Sequence, residues 1–349
     1  MISFINDYSE GAHPKVLELL MKSNLEQNSG YGEDIHCERA KEYIKRELNR
    51  EDVDIHFITG GTQTNLLVIS SFLRPHQCVI AADTGHINVH ETGAIEATGH
   101  KVAAAPSMDG KLTTDAIRKI LDSHSGEHMV QPKMVYLSDT TELGTIYTKA
   151  ELTAIHMLCR EKGLILFLDG ARLASALTCE ANDLMLKDIA ELTDVFYIGG
   201  TKNGALLGEA LVICKEELKE DFRFLIKQRG ALLAKGFILG IQFEALFLPE
   251  GELASDSVAD RILYYQLGRH ANQMAAQIAD ALVKKGYQFF APLYSNQLFP
   301  VFTKEQITSL SEKFGFLIQE EIDERNSAVR LVTSWATPQE YVDELIRCM

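Results

Sequence analysis

The sequence contains no long hydrophobic run. A helix that spans a bilayer needs about 20 consecutive apolar residues, and no stretch of the 349-residue chain approaches that length. The first residues, MISFIND, also lack the basic start and the apolar centre of a secretion signal. We therefore expect a cytoplasmic protein that has no membrane partner.

Basic residues are fewer than acidic residues. The chain has 34 lysines and arginines against 49 aspartates and glutamates, which gives a net charge of −15. An acidic surface repels nucleic-acid phosphates and anionic lipid headgroups. The composition therefore argues against nucleic acid as a partner. With 46% hydrophobic and 24% charged residues, the chain is otherwise ordinary for a folded globular protein.

The cysteines show no pairing or metal-binding pattern. All six are scattered, without a C-x-x-C motif or a spacing typical of metal ligands. We expect reduced and mostly buried thiols, as in cytoplasmic proteins, and no metal site.

Short apolar runs alternate with helical patterns through the middle of the chain. Continuously apolar strands of this length suit a parallel sheet that is buried on both faces. Between two of the runs, Thr148 and Glu151 form a capping-box pattern and Gly163 stands where a C-cap is expected. The alternation predicts an α/β architecture. The predicted strands are 78–82, 101–104, 134–138, 164–168, 195–198 and 210–214.

The C-terminal part has a different pattern. A long helical stretch covers about residues 257–285, and short apolar segments follow at 287–290 and 329–332. Thr303 begins one further predicted helix, and Pro338 stands at the first helical position of another.

This change of pattern predicts two domains. We interpret residues 1–249 as a large domain and residues 250–349 as a smaller α/β domain. About the first 50 residues are expected to pack with one domain or to bridge both.

A glycine turn follows the strand-like run 55–58. Residues 60–65, GGTQTN, open a predicted helix there. Free N–H groups at a helix start, with the hydroxyls of Thr62 and Thr64, suit a phosphate, although an ordinary tight turn is an equal alternative. The pattern is neither a Walker loop nor a G-x-G-x-x-G fingerprint, which argues against nucleoside triphosphates and dinucleotides.

Asp169 closes the apolar run 164–168. Burial raises the free energy of the ionised carboxylate of Asp169 unless a cation lies nearby. A protonated pyridinium nitrogen would be such a cation, and enzymes that use pyridoxal phosphate (PLP) place an acidic residue against it. A structural ion pair with Arg172 is the competing interpretation.

Lys202 lies among small residues just after the run 195–198, in the segment GGTKNG. Low-dielectric surroundings lower the pKa of an ammonium group and favour the amine that forms Schiff bases. Lysines in surface turns are far commoner than catalytic ones. The order of a glycine turn, an aspartate at a strand end and a lysine at a later strand end is the more specific signal.

Together these segments resemble the threonine aldolases of the low-specificity branch, within the aspartate-aminotransferase-like PLP enzymes. The resemblance runs essentially from end to end, and the combination of motifs is far more specific than any one of them. The motifs are HINVHETGA at 86–94, TELGTIYT at 141–148, DGAR at 169–172, GGTKNG at 199–204 and RLVTSW at 330–335.

The resemblance implies the PLP-dependent transferase-like fold, fold type I. That fold has a large domain around a mostly parallel, seven-stranded type of sheet and a smaller C-terminal α/β domain. The resemblance also implies a homodimer or homotetramer with active sites at the subunit interface, where Lys235 could reach a neighbour's phosphate.

The resemblance further implies a role for single residues. Lys202 would hold PLP as a Schiff base, Asp169 would pair with the pyridine nitrogen and His86 would stack on the ring. A histidine that simply caps a helix is the alternative for His86, and a surface salt bridge is the alternative for Arg330. The other implied contacts are Gly61, Thr62 and Thr201 at the cofactor, Arg172 at the cofactor and the substrate carboxylate, and Arg330 and Asn6 at that carboxylate.

Departures from the family pattern leave the catalytic base open. Other branches carry a histidine near Thr141 and Glu142, and many relatives have an acidic residue where this chain has His90. The candidates for the base are His86, His90, Glu142 and an ordered water. We rank His86 first, because histidine titrates near neutral pH and can also lie over the ring.

The predicted reaction is PLP-dependent retro-aldol cleavage of L-threonine, L-allo-threonine and related β-hydroxy-α-amino acids to glycine and an aldehyde. The alternatives are β-elimination or transamination on the same scaffold, since the same lysine and aspartate serve all three reactions. A PLP-fold binding protein without turnover is a more remote alternative.

Overall fold

The computed structural model describes residues 1–249 and 261–349, which form alternating strands and helices. The strands are β1 (Ile2–Ser3), β2 (Asp54–Ile58), β3 (Gln77–Ala82), β4 (Val102–Ala105), β5 (Gln131–Ser138), β6 (Ile165–Asp169), β7 (Val195–Gly199), β8 (Glu209–Ile213), β9 (Gln297–Leu298), β10 (Val301–Thr303), β11 (Phe314–Gly315), β12 (Leu317–Glu321) and β13 (Asn326–Val332). The helices are α1 (Pro14–Ser23), α2 (Ile35–Leu48), α3 (Gly61–Phe72), α4 (His86–Val89), α5 (Thr114–Ser123), α6 (Lys149–Lys162), α7 (Leu173–Thr178), α8 (Leu186–Leu192), α9 (Phe222–Gln228), α10 (Phe237–Phe247), α11 (Leu263–Lys284), α12 (Lys304–Ser311) and α13 (Gln339–Cys348), with short 3-10 turns at Glu96–Thr98 and Glu216–Leu218.

A seven-stranded sheet with the order β2-β8-β7-β6-β5-β3-β4 forms the centre of the molecule. Strands β3 to β7 run parallel to one another, whereas β8 is antiparallel to both β7 and β2. The predicted α/β fold with a large, mostly parallel sheet is therefore confirmed. Each predicted strand is present, and β5 begins earlier than predicted, at Gln131.

Both faces of this sheet are buried, which explains the continuously apolar runs. Successive side chains of a strand point to opposite faces. In β6, Leu166 and Leu168 belong to the core on one face, while Ile165 and Phe167 belong to the core on the other. A strand in this position has no solvent-facing side, so it has no alternating polar residues.

The predicted helix starts at Thr148 and Thr303 are present, and the one at Pro338 is shifted by one residue. The side chain of Thr148 accepts a hydrogen bond from the backbone of Glu151, whose side chain bonds back, so the predicted capping box is confirmed. Thr303 begins α12 in the same way. The prediction for Pro338 is wrong by one residue: Pro338 precedes α13, and Gln339 is its first residue.

The C-terminal part forms a second, smaller sheet. Strands β10, β13 and β12 are antiparallel neighbours, and β9 also pairs with β13. Residues 287–290 contribute only one isolated bridge, between Phe289 and Pro300. Of the predicted long helix, residues 257–260 lie outside the described residues, and α11 begins at Leu263.

The N-terminal segment contacts both parts of the structure. Strand β1 pairs in parallel with β11, and Phe4 is buried in the core under the smaller sheet. Further along, Ile44 and Leu48 of α2 join a core of the large sheet. Residue 250, where the predicted domain boundary falls, lies outside the described residues, so the division into two domains stays a prediction.

Two smaller observations bear on the composition. Five of the six cysteines are buried, as expected, and Cys348 is exposed. Among the residues that the structure describes, no helix has the length and apolarity needed to cross a membrane.

Candidate active site

The predicted site residues meet at one edge of the large sheet. Asp169 is the last residue of β6 and lies beside Ser138, the last residue of β5. Lys202 follows β7, and His86 begins α4 just after β3. The carboxyl ends of neighbouring parallel strands share an edge, which is the usual position of a ligand site in such sheets.

Hydrogen-bond donors surround the buried carboxylate of Asp169, which is 4% exposed. Tyr136 Oη donates to Oδ2 at 2.5 Å and Asn65 Nδ2 donates to the same oxygen at 3.2 Å. The backbone N–H of Ala171 donates to Oδ1 at 3.0 Å. These donors give both carboxylate oxygens a hydrogen-bond partner within the protein.

Arg172 forms a buried ion pair with Asp7. Its Nε and Nη2 atoms donate to the two carboxylate oxygens at 2.7 and 3.0 Å, and Asn296 Nδ2 adds a bond of 3.0 Å. Burial alone would raise the pKa of Asp7, but the charges of Arg172 and Lys202 outweigh it and lower the pKa to about 2. The competing interpretation, in which Asp169 is the ion-pair partner of Arg172, is wrong.

Arg330 lies half-buried near Arg172. Its Nε and Nη2 atoms donate to Gln297 Oε1 at 3.2 and 2.6 Å, and it has no ion-pair partner among the described residues. Burial, followed by the positive charge of Arg172, lowers the pKa of Arg330 to about 10. The surface salt bridge is therefore wrong for Arg330. Two guanidinium groups that repel each other in a partly buried site favour an anion that can bind both.

Lys202 is partly buried among these charges. Its Nζ lies 6.0 Å from the centre of the Tyr8 ring, and no carboxylate of the described residues pairs with it within 4.0 Å. Burial and then the charge of Arg172 lower the pKa of Lys202, against the opposing charges of Asp7 and other acidic groups. A lowered pKa increases the fraction of nucleophilic amine.

Glu209 anchors the turn that carries Lys202. Its carboxylate accepts hydrogen bonds from Gly200 N at 3.0 Å and from Thr201 Oγ1 at 2.9 Å. The Thr201 hydroxyl in turn accepts from Gly208 N at 2.9 Å. The hydroxyl of Thr201 therefore has a donor and an acceptor within the protein, and its contact with a cofactor stays a prediction. Burial raises the pKa of Glu209 to about 8.

The start of α3 presents free N–H groups. Gly60 occupies the N-cap without a side-chain hydrogen bond, so the N–H groups of Gly61 and Thr62 have no acceptor within the helix. Such a start suits an anion. The hydroxyl of Thr64, by contrast, donates to Gly60 O at 2.9 Å and lies within the helix.

His86 and the other base candidates occupy different environments. His86 Nδ1 lies 2.8 Å from Glu91 Oε1, and the His86 ring centre lies 5.6 Å from that of His90, which is exposed. Glu142 is half-buried and accepts a hydrogen bond of 3.4 Å from Ser138 Oγ.

The remaining predicted residues are Asn6, which precedes Asp7, and Lys235. The amide oxygen of Asn6 accepts from Tyr8 N at 2.9 Å and from Ser9 Oγ at 3.0 Å, which leaves its NH₂ group available as a donor. Lys235 is exposed in the loop between α9 and α10. Its predicted contact with a neighbouring subunit stays a prediction.

Several buried polar residues of the site were missed in the sequence. Asp7 adjoins the predicted Asn6, and Glu91 lies inside the motif that begins at His86, so position alone offered a weak signal for both. The other missed residues have no local signal, because their partners are distant in sequence. They are Tyr136, Glu209, Asn296 and Gln297, whereas Asn65 is the last residue of the predicted glycine-turn segment 60–65.

Comparison with solved structures defines the class. An aspartate aminotransferase double mutant from Thermus thermophilus superimposes with a TM-score of 0.71 at 12% identity, over 100% of this chain and 90% of its own. The protein therefore has the aspartate-aminotransferase-like fold. The family model described as "Beta-eliminating lyase" matches residues 7–305, and the chain belongs to that family.

Relatives within the family are similar along nearly the whole chain. The low specificity L-threonine aldolase of Pseudomonas aeruginosa is 32% identical over 99% of this chain and 96% of its own. A threonine aldolase structure from Leishmania major is 50% identical, with a TM-score of 0.94 over 99% of this chain and 98% of its own. The resemblance to the low-specificity threonine aldolases is thereby confirmed.

Proposed function

We propose that the protein cleaves L-threonine, L-allo-threonine and related β-hydroxy-α-amino acids to glycine and an aldehyde, using PLP held at Lys202. The relatives named above support the reaction. The observation that carries the proposal is the convergence of Lys202, Arg172 and Asp169 at one edge of the large sheet, with Arg330 of β13 close to them. The charge of Arg172 lowers the pKa of both Lys202 and Arg330.

The residues present fit PLP. Lys202 offers an amine without an ion-pair partner among the described residues, the start of α3 offers N–H groups for the phosphate, and Asp169 offers a buried carboxylate for the ring nitrogen. When bound, PLP supplies an electron sink for the electron pair that remains on the substrate's Cα.

Arg172 and Arg330 would bind and orient the substrate carboxylate. A planar guanidinium can bind a carboxylate through two parallel hydrogen bonds. Two such groups fix the rotation about the bonds to Cα, which decides whether the Cα–Cβ bond is the one aligned for cleavage. Asn6 would add a donor from its free amide group.

A base must remove the proton of the β-hydroxyl as the Cα–Cβ bond breaks. The β-oxygen then becomes the aldehyde carbonyl, and protonation of Cα gives glycine. We assign this base to His86, since this residue begins α4 at the same sheet edge and histidine is a side chain that can titrate near neutral pH. His90, Glu142 and an ordered water are the alternatives.

β-Elimination is the second candidate, because the matching family model carries that description. It would use the same lysine and aspartate but would release ammonia and a keto acid, whereas transamination would require an added keto acid. Product analysis separates the three reactions.

The test is an absorbance spectrum of the purified protein with PLP, before and after L-threonine, with acetaldehyde followed by coupled alcohol dehydrogenase. A visible band that borohydride abolishes, together with acetaldehyde and glycine, is the expected result. A band without acetaldehyde would replace the aldol reaction with one of its alternatives. The absence of a band in the presence of PLP would overturn the role of Lys202.

The proposal includes a homodimer or homotetramer in the cytoplasm. The exposed position of Lys235 would allow it to reach a neighbouring subunit, and the unpaired, mostly buried thiols suit a reducing compartment. Light scattering during gel filtration tests the assembly, and a monomer that is fully active would contradict it.

A further inference from the structure

A chain of hydrogen bonds joins His86 to Asp169 through two residues that the proposed mechanism does not use. His86 Nδ1 lies 2.8 Å from Glu91 Oε1, and Asn65 Nδ2 donates to the same oxygen at 2.8 Å. Asn65 Nδ2 also donates to Asp169 Oδ2 at 3.2 Å. An amide nitrogen carries two hydrogens, so Asn65 can give one to each carboxylate.

Glu91 is buried without a lysine or arginine partner among the described residues. Its side chain is 0% exposed, and that of Asn65 is equally buried. A buried carboxylate requires hydrogen-bond donors. Glu91 has two, His86 and Asn65, both at Oε1, while its Oε2 has no partner in the described part of the chain. Filling space would not require a carboxylate here, so its bond to His86 is the feature that needs an explanation.

The acceptor at Nδ1 decides which nitrogen of His86 is free. An ionised carboxylate can only accept hydrogen bonds, so Nδ1 carries the hydrogen. In the neutral ring, Nε2 then carries the lone pair. Nε2 makes no hydrogen bond to any described residue, and the His86 side chain is 29% exposed, so this nitrogen is accessible to a substrate.

The negative charges around His86 raise its pKa, as the hydrogen bond to Glu91 does. Burial lowers the pKa of His86, but the hydrogen bond to Glu91 and the negative charges of Glu142, Asp169 and Glu91 outweigh it, so the pKa is raised. His90 also faces the ring, with the ring centres 5.6 Å apart. A proton accepted by His86 would therefore be stabilised by the neighbouring carboxylates.

We propose that Glu91 is a positioning residue, which fixes the His86 ring with the Nδ1 hydrogen toward Glu91 and the Nε2 lone pair toward the substrate's β-hydroxyl. Asn65 holds Glu91 in that position. In the step itself the hydroxyl proton moves to Nε2, the O–H electron pair becomes the second C–O bond and the Cα–Cβ pair stays on Cα. This inference rests on the proposed aldol cleavage and assigns the residue that orients its base.

Glu91→Gln tests the proposal by kinetics, since it removes the charge and keeps the size. With L-threonine and saturating PLP we expect kcat to fall by about 10- to 100-fold with KM unchanged. The acidic limb of the kcat/KM profile should move to lower pH, because the loss of the Glu91 charge lowers the pKa of His86. Glu96→Gln, which removes an exposed carboxylate of the same segment, should behave as the unchanged protein.

A second measurement does not depend on turnover. Nitrogen NMR of histidine-labelled protein with PLP and without substrate reports which ring nitrogen is protonated, and His86→Asn identifies the His86 signals. We expect the Nδ1-protonated form in the unchanged protein and a mixture of both forms in Glu91→Gln and Glu91→Ala.

The outcomes separate this inference from the proposed function. An Nε2-protonated His86 in the unchanged protein would overturn the inference even if no Glu91 variant folds, and so would a Glu91→Gln variant with unchanged rate, pH profile and ring signals. If the unchanged protein releases no acetaldehyde, the proposed function fails and the role of Glu91 in aldol cleavage fails with it. The ring signals would then still report whether Glu91 orients His86.

Discussion

Asp7 places a negative charge beside two cations of the site, Arg172 and Lys202. It is 1% exposed and lies between Arg172 and Asn296, with Lys202 close enough to influence its pKa. The pair needs both partners, because removal of one leaves an unpaired charge in the interior.

Replacement of Asp7 by Asn should lower the free energy of unfolding by roughly 3 kcal/mol near pH 7. The carboxyl has a pKa of about 2 when folded against an ordinary 3.8, so its stabilisation is full above pH 3.8 and is lost as the pH falls toward 2. Urea unfolding at several pH values should show the two proteins converging in acid. Asp52→Asn, which removes an exposed carboxylate paired with the half-buried Arg50, should lower stability much less, and an equal loss there would contradict the argument.

Lys202→Ala should abolish acetaldehyde release from L-threonine, because no other residue can supply the amine that bonds the cofactor. The visible band should be lost with it. Lys227→Ala, an exposed lysine of α9, is the matched control and should keep both signals. Substantial turnover by Lys202→Ala would show that the lysine has been assigned to the wrong position.

The role of a single residue could be predicted where a motif fixes its position at the end of a recognisable strand. Asp169 and Lys202 each follow a strand that could be recognised from its apolar run, so their order along the chain carried the prediction. Asp7 could not be predicted, since its partner Arg172 is 165 positions away. Glu91 lay inside a recognised motif, but only the folded chain shows which side chain it bonds.

At the scale of elements, the turn between β7 and β8 is held by hydrogen bonds to one buried acid, Glu209. Glu209 has a pKa of about 8 when folded against an ordinary 4.5, so the folded protein keeps a proton that the unfolded chain has lost. Stability should therefore fall as the pH rises from 4.5 to 8.

Glu209→Gln should remove that part of the pH dependence, because an amide does not titrate in this range. Urea unfolding of cofactor-free protein between pH 5 and pH 8 would measure the slope, with Glu217→Gln as an exposed control. A slope that Glu209→Gln leaves unchanged would place the titrating group elsewhere.

The elements themselves were largely predictable, and their pairing was not. Apolar runs identify β3 to β8 because both faces of the sheet are buried. The same runs do not show that β8 is antiparallel to its neighbours, which depends on the turn that carries Lys202. The run 287–290 has strand-like composition but forms only one bridge, at Phe289.

At the scale of the whole molecule, the N-terminal segment links the smaller sheet to the site. Phe4 is fully buried, donates its N–H to Gly315 O at 2.7 Å and accepts from Val332 N at 2.9 Å. Asp7 follows shortly after it. A change in the packing around Phe4 should therefore shift Asp7, and with it the Arg172 side chain that Asp7 holds.

Phe4→Ala should lower the free energy of unfolding by about 4 kcal/mol and should also raise KM for L-threonine, because Asp7 loses its fixed position. Phe302→Ala creates a similar cavity in the same core and is 1% exposed before the change. It should destabilise the protein with little effect on KM. Equal KM values in the two variants would contradict the link.

Because the chain is made from its N-terminus, the N-terminal segment is synthesised long before the residues that it binds. Ser3 and Asp7 leave the ribosome well before their partners, because Ser3 pairs with Gly315 and Asp7 binds Asn296. During translation the segment therefore stays unpaired until the strands of the large sheet and then its own partners have been made. Arg172, which we propose binds the substrate carboxylate, therefore gains the complete Asp7–Asn296 support only after Asn296 has been made, and a product truncated before that residue would lack it.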